Sequence, residues 1–401
     1  MDKIKMFFKD FAKRLKHIYL SDKDRPSMIQ NSLSSPGFSS LTASILSVVI
    51  GLLFGFFLLL ILNPSKAGMG LQRILVTGIS APDKFAKVLY MSAPLIMVGL
   101  AVGFAFKTGL FNIGATGQYT IGAFFALFSA IVWGFPWYAA ILAAMAGGAL
   151  WGAIPGFFKA FFNVNEVITS IMFNWIGMFL VNLLCLNTPK IISDYWGGNI
   201  GNRTANLAVA NPSAIIPKWG LDKLFDSNYM NIGVFIAVLI AICMFVILNK
   251  TTFGYELKAC GYNRNASVYA GMNAKRSIIL SMVISGALAG IGGGLYYLTG
   301  IGNYNIEKLL LAMGFNGIPV ALLGGSNPLG IILSGIFISY IQVGGEALQP
   351  TFSKEIIDII IAVIIYMSAL SLLVKLTLEK LIRRRKKDKI LHCCEAKEAK
   401  K

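Results

Sequence analysis

Charged side chains are scarce in this sequence. Lys, Arg, Asp and Glu make up 13% of its 401 residues, whereas a soluble domain carries about 25%. Hydrophobic residues make up 56%, and the mean hydropathy is +0.68. This composition excludes a disordered chain, a coiled coil and an ordinary cytosolic enzyme, and it indicates an all-α, polytopic membrane protein.

The residues that support common enzyme chemistry are also missing. The dipeptide Gly-Lys, which a phosphate-binding loop requires, never occurs. The two histidines, His17 and His392, lie in the terminal segments, so no Ser/His/Asp or Cys/His catalytic pair is expected. The five cysteines do not have the spacing of a metal site or a disulfide framework. We therefore predict no catalytic residues, no metal site and no cofactor.

The net charge of +18 would suit a nucleic-acid-binding protein, but the location of the charge argues against one. Residues 1–25, 250–276 and 375–401 have net charges of +4, +4 and +7, and long uncharged runs separate them. Under the positive-inside rule these basic segments face the cytoplasm, where they contact anionic lipid. We therefore predict membrane lipid as a partner, no nucleic acid, and both termini in the cytoplasm.

The uncharged runs are long enough to cross a bilayer, which requires about 20 apolar residues per helix. About ten spans fit the chain, an even number that returns both termini to the cytoplasm. The segment 188–228 then lies outside, with four basic and three acidic residues, and 250–276 lies inside. The spans at 112–133 and 307–323 are rich in glycine and are candidates for broken or re-entrant helices. The predicted spans are 40–62, 88–106, 112–133, 137–158, 166–187, 229–249, 277–300, 307–323, 329–349 and 356–376.

Two interrupted apolar segments resemble each other and suggest two pseudo-repeated halves. Residues 109–118 read Gly-Leu-Phe-Asn-Ile-Gly-Ala-Thr-Gly-Gln, and residues 314–330 contain Gly-Phe-Asn-Gly-Ile-Pro and Gly-Gly-Ser-Asn-Pro-Leu-Gly. Broken helices at corresponding places in two halves are typical of the substrate region of a transporter. The competing interpretation is that the glycines only allow neighbouring helices to pack closely.

Polar side chains interrupt or border the apolar runs at six positions. Amides can bind hydroxyl groups and base edges, and together these residues suggest a translocation pathway for an uncharged polar solute. Each one alone is better explained by hydrogen bonding between helices. The six predicted pathway residues are Asn112, Gln118, Asn174, Asn316, Gln342 and Glu346.

Ionisable groups inside the spans are few, and such groups usually mark ion or proton coupling. Glu166 begins a span, where Asn163 or Asn165 can cap the helix. Glu346 is then the only plausible buried carboxylate, so an ion-coupled secondary transporter is an alternative that depends on it. A membrane scaffold or interfacial enzyme is a third class, which no constellation of residues supports.

The cytoplasmic segment 250–276 has the composition of a binding surface. Aromatic residues lie among its charges, and its glycines can end two short helices, 253–260 and 265–270. An amphipathic segment lying on the membrane is the alternative. The segment is similar to the cytoplasmic coupling loop of ABC importer permeases in the branched-chain amino acid, ribose and nucleoside group. The shared residues are Gly254, Ala259, Gly261, Asn263, Ala266, Tyr269, Ala270 and Gly271.

Three further segments resemble the same group in the same order, so that the likeness covers about 88–375. They are residues 111–118, the run Asn165-Glu166-Val167-Ile168 with Asn174, and residues 324–330. Their form is most similar to nucleoside and simple-sugar permeases. Thr116 departs from this pattern, because nucleoside members commonly have Glu there.

The resemblance implies the permease subunit of an ATP-driven importer in a bacterial cytoplasmic membrane, which moves nucleosides or related ribosides and sugars inward. The implied partners are an ATP-binding cassette ATPase, a second permease subunit, identical or homologous, and an external substrate-binding lipoprotein. The permease domain would cover 39–378, between a basic segment 1–38 and a basic tail 379–401. The predicted ATPase-coupling residues are Phe253, Gly254, Tyr255, Ala259, Gly261, Asn263, Ala266, Tyr269 and Gly271.

Overall fold

The computed structural model describes residues 36–198, 201–349 and 351–370, together with residues 373, 376 and 377. Regular structure in these parts of the chain is helical, apart from two isolated β-bridges. Residues 47–372 form one compact unit, and residues 36–46 belong to a second unit. The predicted tail 379–401 and most of the predicted segment 1–38 lie outside the described residues, as do His17 and His392. The helices of six residues or more are α1 (Pro36–Leu62), α2 (Ala67–Ser80), α3 (Pro82–Lys107), α4 (Ala115–Ile131), α5 (Trp137–Phe162), α6 (Glu166–Leu186), α7 (Gly233–Lys250), α8 (Thr252–Tyr262), α9 (Arg264–Tyr269), α10 (Ala274–Tyr297), α11 (Ala312–Leu323), α12 (Pro328–Glu346) and α13 (Lys354–Ala369).

Seven helices in the described parts of the chain are long and apolar enough to cross a membrane: α1, α3, α5, α6, α7, α10 and α12. The other three predicted spans contain the shorter helices α4, α11 and α13, which have 17, 12 and 16 residues. At 1.5 Å per residue, α4 and α11 are about 26 and 18 Å long, which is less than the ~30 Å hydrocarbon core. The two glycine-rich segments therefore hold shortened helices, and seven of the ten predicted spans are supported.

Helix α2 lies in a stretch for which the sequence predicts no span. One face of this helix is buried and the other is exposed, as expected for an amphipathic helix. The buried face packs against α12, where Gly78 leaves room for the ring of Tyr340. Arg73 Nη1 donates to the Ala347 carbonyl (3.4 Å) and to Thr351 Oγ1 (3.3 Å), just beyond the end of α12. Helix α2 thus supports the C-terminal end of α12. Its buried residues are Ala67, Gly70, Ile74 and Gly78.

Helix α10 lies at the centre of the compact unit and packs against α3, α4 and α5. Its C-terminal half reads Gly-Ala-Leu-Ala-Gly-Ile-Gly-Gly-Gly over residues 286–294. A Cβ atom on Gly290 would meet the Ala144 carbonyl and the Cα of Gly148, both in α5. A Cβ atom on Gly122 of α4 would meet the Cα of Gly290. Small residues in membrane helices allow such close approach, so α4, α5 and α10 touch along their backbones.

The segment between α6 and α7, which is predicted to lie outside, contributes buried apolar residues to the main hydrophobic core. A β-bridge between Arg203 and Asn305 joins it to the segment between α10 and α11. In that second segment the hydroxyl of Tyr304 donates to Asn182 Oδ1 of α6 (3.0 Å). Burial raises the pKa of this tyrosine. These contacts fix the segment on the ends of α6 and α10. Its buried apolar residues include Ile191, Ala205, Leu207, Ala214 and Ile216.

Mutation of Gly290 tests the backbone contact between α10 and α5. Gly290→Val places a branched side chain against the Ala144 carbonyl, and we expect it to lower the free energy of unfolding by about 3 kcal/mol, the upper part of the usual overpacking range. Gly68→Val is the matched control, because a Cβ atom on Gly68 would lie in open space. The measurement is thermal unfolding of the purified protein in detergent. Equal melting temperatures for the two variants would contradict the contact.

Candidate translocation pathway and coupling surface

Asn112 and Gln118, two of the predicted pathway residues, bind each other at the start of α4. Asn112 Nδ2 donates to Gln118 Oε1 (2.7 Å), and Gln118 Nε2 donates back to Asn112 Oδ1 (3.3 Å). Asn112 Nδ2 also donates to Ser285 Oγ of α10 (2.7 Å), and that hydroxyl donates to the Ala101 carbonyl of α3 (2.6 Å). Asn112, Gln118 and Ser285 are at most 1% exposed. The network therefore joins α3, α4 and α10 inside the protein.

Asn174 of α6 binds the same stretch of chain through two backbone groups. Its Oδ1 accepts from the Gly117 N–H (2.8 Å), and its Nδ2 donates to the Ile113 carbonyl (3.1 Å). Gly117 has no room for a side chain, because a Cβ atom there would lie 2.9 Å from Asn174 Oδ1. Asn174 thus satisfies one carbonyl of the non-helical segment 112–114, while Asn112 and Gln118 satisfy each other. For these residues the geometry supports hydrogen bonding between helices, and a role in the pathway stays a prediction.

The two interrupted segments of the predicted halves meet where α4 and α11 begin. Gly314, in the first turn of α11, lies so close to Thr116, in the first turn of α4, that an added Cβ atom would meet the Thr116 backbone and hydroxyl. Thr116 Oγ1 is buried without a hydrogen-bond partner, as is Ser170 Oγ of α6. Leaving a buried hydroxyl unpaired costs free energy. The contact between the short helices therefore carries one hydroxyl, that of Thr116, which the described residues do not satisfy.

Asn316 and Gln342, the remaining predicted amides, make no side-chain hydrogen bond to the described residues. Asn316 is partly buried in α11, two residues after Gly314. Gln342 lies in α12, and its Oε1 is buried without a partner. Unlike the first three amides, these two have hydrogen-bonding groups without a partner among the described residues.

Glu346 is neither buried nor isolated, which corrects the expectation of a buried carboxylate. Its side chain is 42% exposed because it lies in the last turn of α12, and its Oε2 is 2.5 Å from Lys87 Nζ of α3. Lys87 Nζ also lies over the ring of Tyr229, 5.7 Å from the ring centroid. The ion pair joins α3, in the first half of the chain, to α12, in the second.

Three tyrosines lie beside this ion pair and are functional candidates that the sequence does not indicate. Tyr90 of α3 packs against Tyr296 of α10, with ring centroids 5.7 Å apart and planes at 26°, and against Tyr229, with centroids 5.6 Å apart. Tyr90 is 7% exposed, whereas Tyr229 and Tyr296 are partly exposed. The spacing of Lys87 and Tyr90, three residues apart on α3, is the one signal in the sequence, since their partners lie far along the chain.

The predicted coupling loop forms two short helices, α8 and α9, as the sequence indicates. Thr251 Oγ1 caps α8 by accepting from the Gly254 N–H (3.1 Å). Asn263 Oδ1 caps α9 by accepting from the Ala266 N–H (3.0 Å). Helix α8 ends at Tyr262, two residues beyond its predicted end. Asn263 and Ala266, both predicted to bind the ATPase, therefore also form the junction between the helices.

The buried face of α8 packs closely on the membrane helices. A Cβ atom on Gly254 would meet the Ile247 carbonyl and the Leu248 Cα of α7, and Leu257 is fully buried. Farther along, a Cβ atom on Gly109 would lie 2.5 Å from the Cα of Gly261. Gly254 and Gly261 thus attach α8 to α7 and to the end of α3.

The tyrosines of the loop are exposed instead. Tyr255, Tyr262 and Tyr269 are 65, 88 and 93% exposed, whereas Phe253 and Ala259 are partly buried. Exposed aromatic side chains of this size are enriched where proteins bind one another. We call Tyr255, Tyr262 and Tyr269 the coupling surface. The other exposed members of the predicted set are Gly261, Asn263, Ala266 and Gly271.

Several known proteins that resemble this chain are named as permease proteins of ABC transporters. The family described as branched-chain amino acid transport system / permease component matches residues 85–369. The chain is 34% identical to the guanosine ABC transporter permease protein NupP of Bacillus subtilis, over 86% of this chain and 97% of that protein. It is 33% identical to the nucleoside ABC transporter permease protein NupB of Lactococcus lactis, over 84% and 92%. It is 30% identical to the glucose ABC transporter permease protein TsgB13 of Haloferax volcanii, over 70% and 74%. No solved structure matches the chain.

The two groups of amides are expected to respond differently to mutation. Asn112→Ala removes the partner of Gln118 and Ser285, and unpaired buried groups of this kind cost about 1–3 kcal/mol each. We therefore expect a loss of about 2–3 kcal/mol in the free energy of unfolding. Asn316→Ala is the control and should change it by about 0.5 kcal/mol or less. Thermal unfolding measures both, and equal losses would show that the bonding pattern described above is wrong.

Proposed function

Because the chain belongs to the branched-chain amino acid transport system / permease component family, we propose that it is the membrane-spanning subunit of an ATP-driven importer of nucleosides. Family membership and several apolar helices make it a multi-pass protein of the cytoplasmic membrane. It is a transport component rather than an enzyme, and ATP hydrolysis belongs to a separate subunit.

The nucleoside assignment rests on the names of the relatives and on the uncharged hydrogen-bonding groups of two amide side chains. Two of the relatives are named for guanosine or nucleosides, and one for glucose. Asn316 and Gln342 offer donors and acceptors without net charge, which suits the hydroxyls and base edges of a nucleoside. Glu346 is paired with Lys87 rather than free. This pairing supports an uncharged solute over coupling to an ion.

An ABC permease works with an ATPase and a substrate-binding partner. In our proposal the ATPase binds the coupling surface from the cytoplasm, and an external lipoprotein delivers the substrate on the side of 188–228. The basic charge of 250–276 supports this orientation. In the same proposal the chain has ten spans, and both termini lie in the cytoplasm. A second permease subunit, identical or homologous, would complete the pathway.

The contacts of α8 suggest how ATPase binding reaches the pathway. Gly261 packs directly on Gly109, which lies three residues before Asn112. Close-packed protein interiors transmit displacement, and here backbone meets backbone without a side chain to absorb it. A movement of α8 would therefore pass through this stretch to the start of α4. It would then change the contact between Thr116 and Gly314, where the two halves meet.

Nucleoside uptake tests the proposed function. Reconstituted into vesicles with its ATPase and binding protein, the permease should import tritiated guanosine in a reaction that requires ATP. Uptake should persist when ionophores collapse the proton and sodium gradients. Uptake that continues without the ATPase, or that stops when the gradients collapse, would favour the ion-coupled transporter instead. Uptake of glucose but not guanosine would assign the substrate to sugars.

The coupling surface has its own test, because its tyrosines are exposed. Tyr262→Asp and Tyr269→Asp should each reduce copurification of the ATPase by about tenfold or more, the effect of losing a central aromatic contact. The melting temperature of the permease should not change. Tyr195→Asp, at an exposed tyrosine of 188–228, is the matched control. Full copurification with both variants would exclude this surface as the ATPase contact. A variant at Gly254 is unsuitable, because it would disturb the packing on α7 and could not distinguish docking from folding.

A further inference from the structure

We propose that Tyr229 and Tyr296, supported by the buried Tyr90, bind the base of the nucleoside together with Lys87 and Glu346 at one end of the pathway. This proposal rests on the proposed function, because it specifies which part of a nucleoside the permease recognises. Flat aromatic rings bind the face of a base by stacking, and charged or polar groups bind its edge. Both kinds of group occur together at these five residues, which we call the tyrosine site.

The rings provide stacking surfaces on a fixed support. Tyr90 is buried and contacts the other two rings at centroid distances of 5.6 and 5.7 Å. Its hydroxyl donates to the Tyr296 carbonyl (3.4 Å) and accepts from Thr299 Oγ1 (3.5 Å). Tyr229 and Tyr296 are only partly buried. A fixed ring therefore supports two others that a ligand can reach, an arrangement that costs little conformational entropy when a base stacks on them.

The polar groups beside the rings match the edge of a base. The Lys87 ammonium can donate to a carbonyl or ring nitrogen, and the Glu346 carboxylate can accept from an amino group or ring N–H. Gln342 precedes Glu346 by four residues on α12 and so lies on the same helix face, and its buried Oε1 has no partner among the described residues. This unsatisfied acceptor adds a further hydrogen-bonding group on the helix face that carries Glu346.

The tyrosine site lies at the end of α10 that is opposite to the coupling loop. Tyr296 is in the last turn of α10, whose first turn follows the loop, and Tyr229 directly follows the segment 188–228. In the proposed orientation this is the end from which the substrate enters. Recognition of the base here would precede passage through the contact between Thr116 and Gly314.

Photolabelling locates the base without mutation. The complete transporter in nanodiscs is irradiated with 8-azidoadenosine, and the labelled peptides are mapped by mass spectrometry. We expect label on the peptides that contain Tyr229 or Tyr296, with protection by excess guanosine and none by ribose. Label confined to other segments, such as the one around Asn316, or protection by ribose alone, would overturn the proposal.

Variants at Tyr296 separate binding from a structural role. Tyr296→Leu should lower specific labelling about tenfold, the effect of losing one stacked ring, whereas Tyr296→Phe should keep it within about twofold. Tyr138→Leu, at an exposed tyrosine of α5, is the control. Equal labelling of all three would overturn the site. Guanosine uptake by the same preparation distinguishes the two proposals: its absence contradicts the proposed function, and its presence with label elsewhere contradicts only the tyrosine site.

Discussion

The backbone contact of α10 with α5 and α4 is the constraint on which the rest of the structure depends. In a bilayer, helices gain little by burying apolar side chains against one another, so close packing and hydrogen bonds hold them together. Gly290 and Gly148 bring α10 against α5, and Gly122 adds α4 to the same contact. As a result most residues of α4 are buried in protein. A helix too short to span the bilayer is stable only when protein surrounds its ends, and this packing supplies the surroundings.

Backbone groups beside a short, enclosed helix need hydrogen-bond partners, and polar side chains provide them. The segment before α4 has no helical partners, so Asn174 binds its backbone and Asn112 joins it to α10. The amides with the strongest sequence signal are therefore occupied by the protein itself. Thr116 Oγ1, Ser170 Oγ and Gln342 Oε1 are among the buried groups left without partners, which a solute or a change of state can satisfy. Satisfied and unsatisfied polar groups thus have different roles, although their residue types are alike.

The sequence predicts features that depend on local pattern. Apolar runs locate the long helices, and the glycines of 250–276 indicate the two short helices of the coupling loop. It does not predict contacts between distant segments. Lys87 and Glu346 are 259 positions apart, and the close approach of Gly261 to Gly109 has no sequence pattern that identifies it. The shared glycines mark the coupling loop, but only the packing shows that Gly254 and Gly261 hold it to the membrane helices while the tyrosines remain exposed.

Helix α3 connects the coupling loop to the tyrosine site. Lys87 lies near its start, Gly109 follows its end, and its 26 residues extend about 39 Å. Most of its residues are buried against neighbouring helices, so any shift of α3 must rearrange those contacts. Pro94 lies between the two ends and lacks the N–H of a regular helix, which makes it the point of easiest bending. A displacement at Gly109 therefore has two outcomes. If α3 moves as a rod, Lys87 separates from Glu346 and ATPase binding acts directly on the tyrosine site; if α3 bends at Pro94, the ion pair stays closed and the two ends work independently.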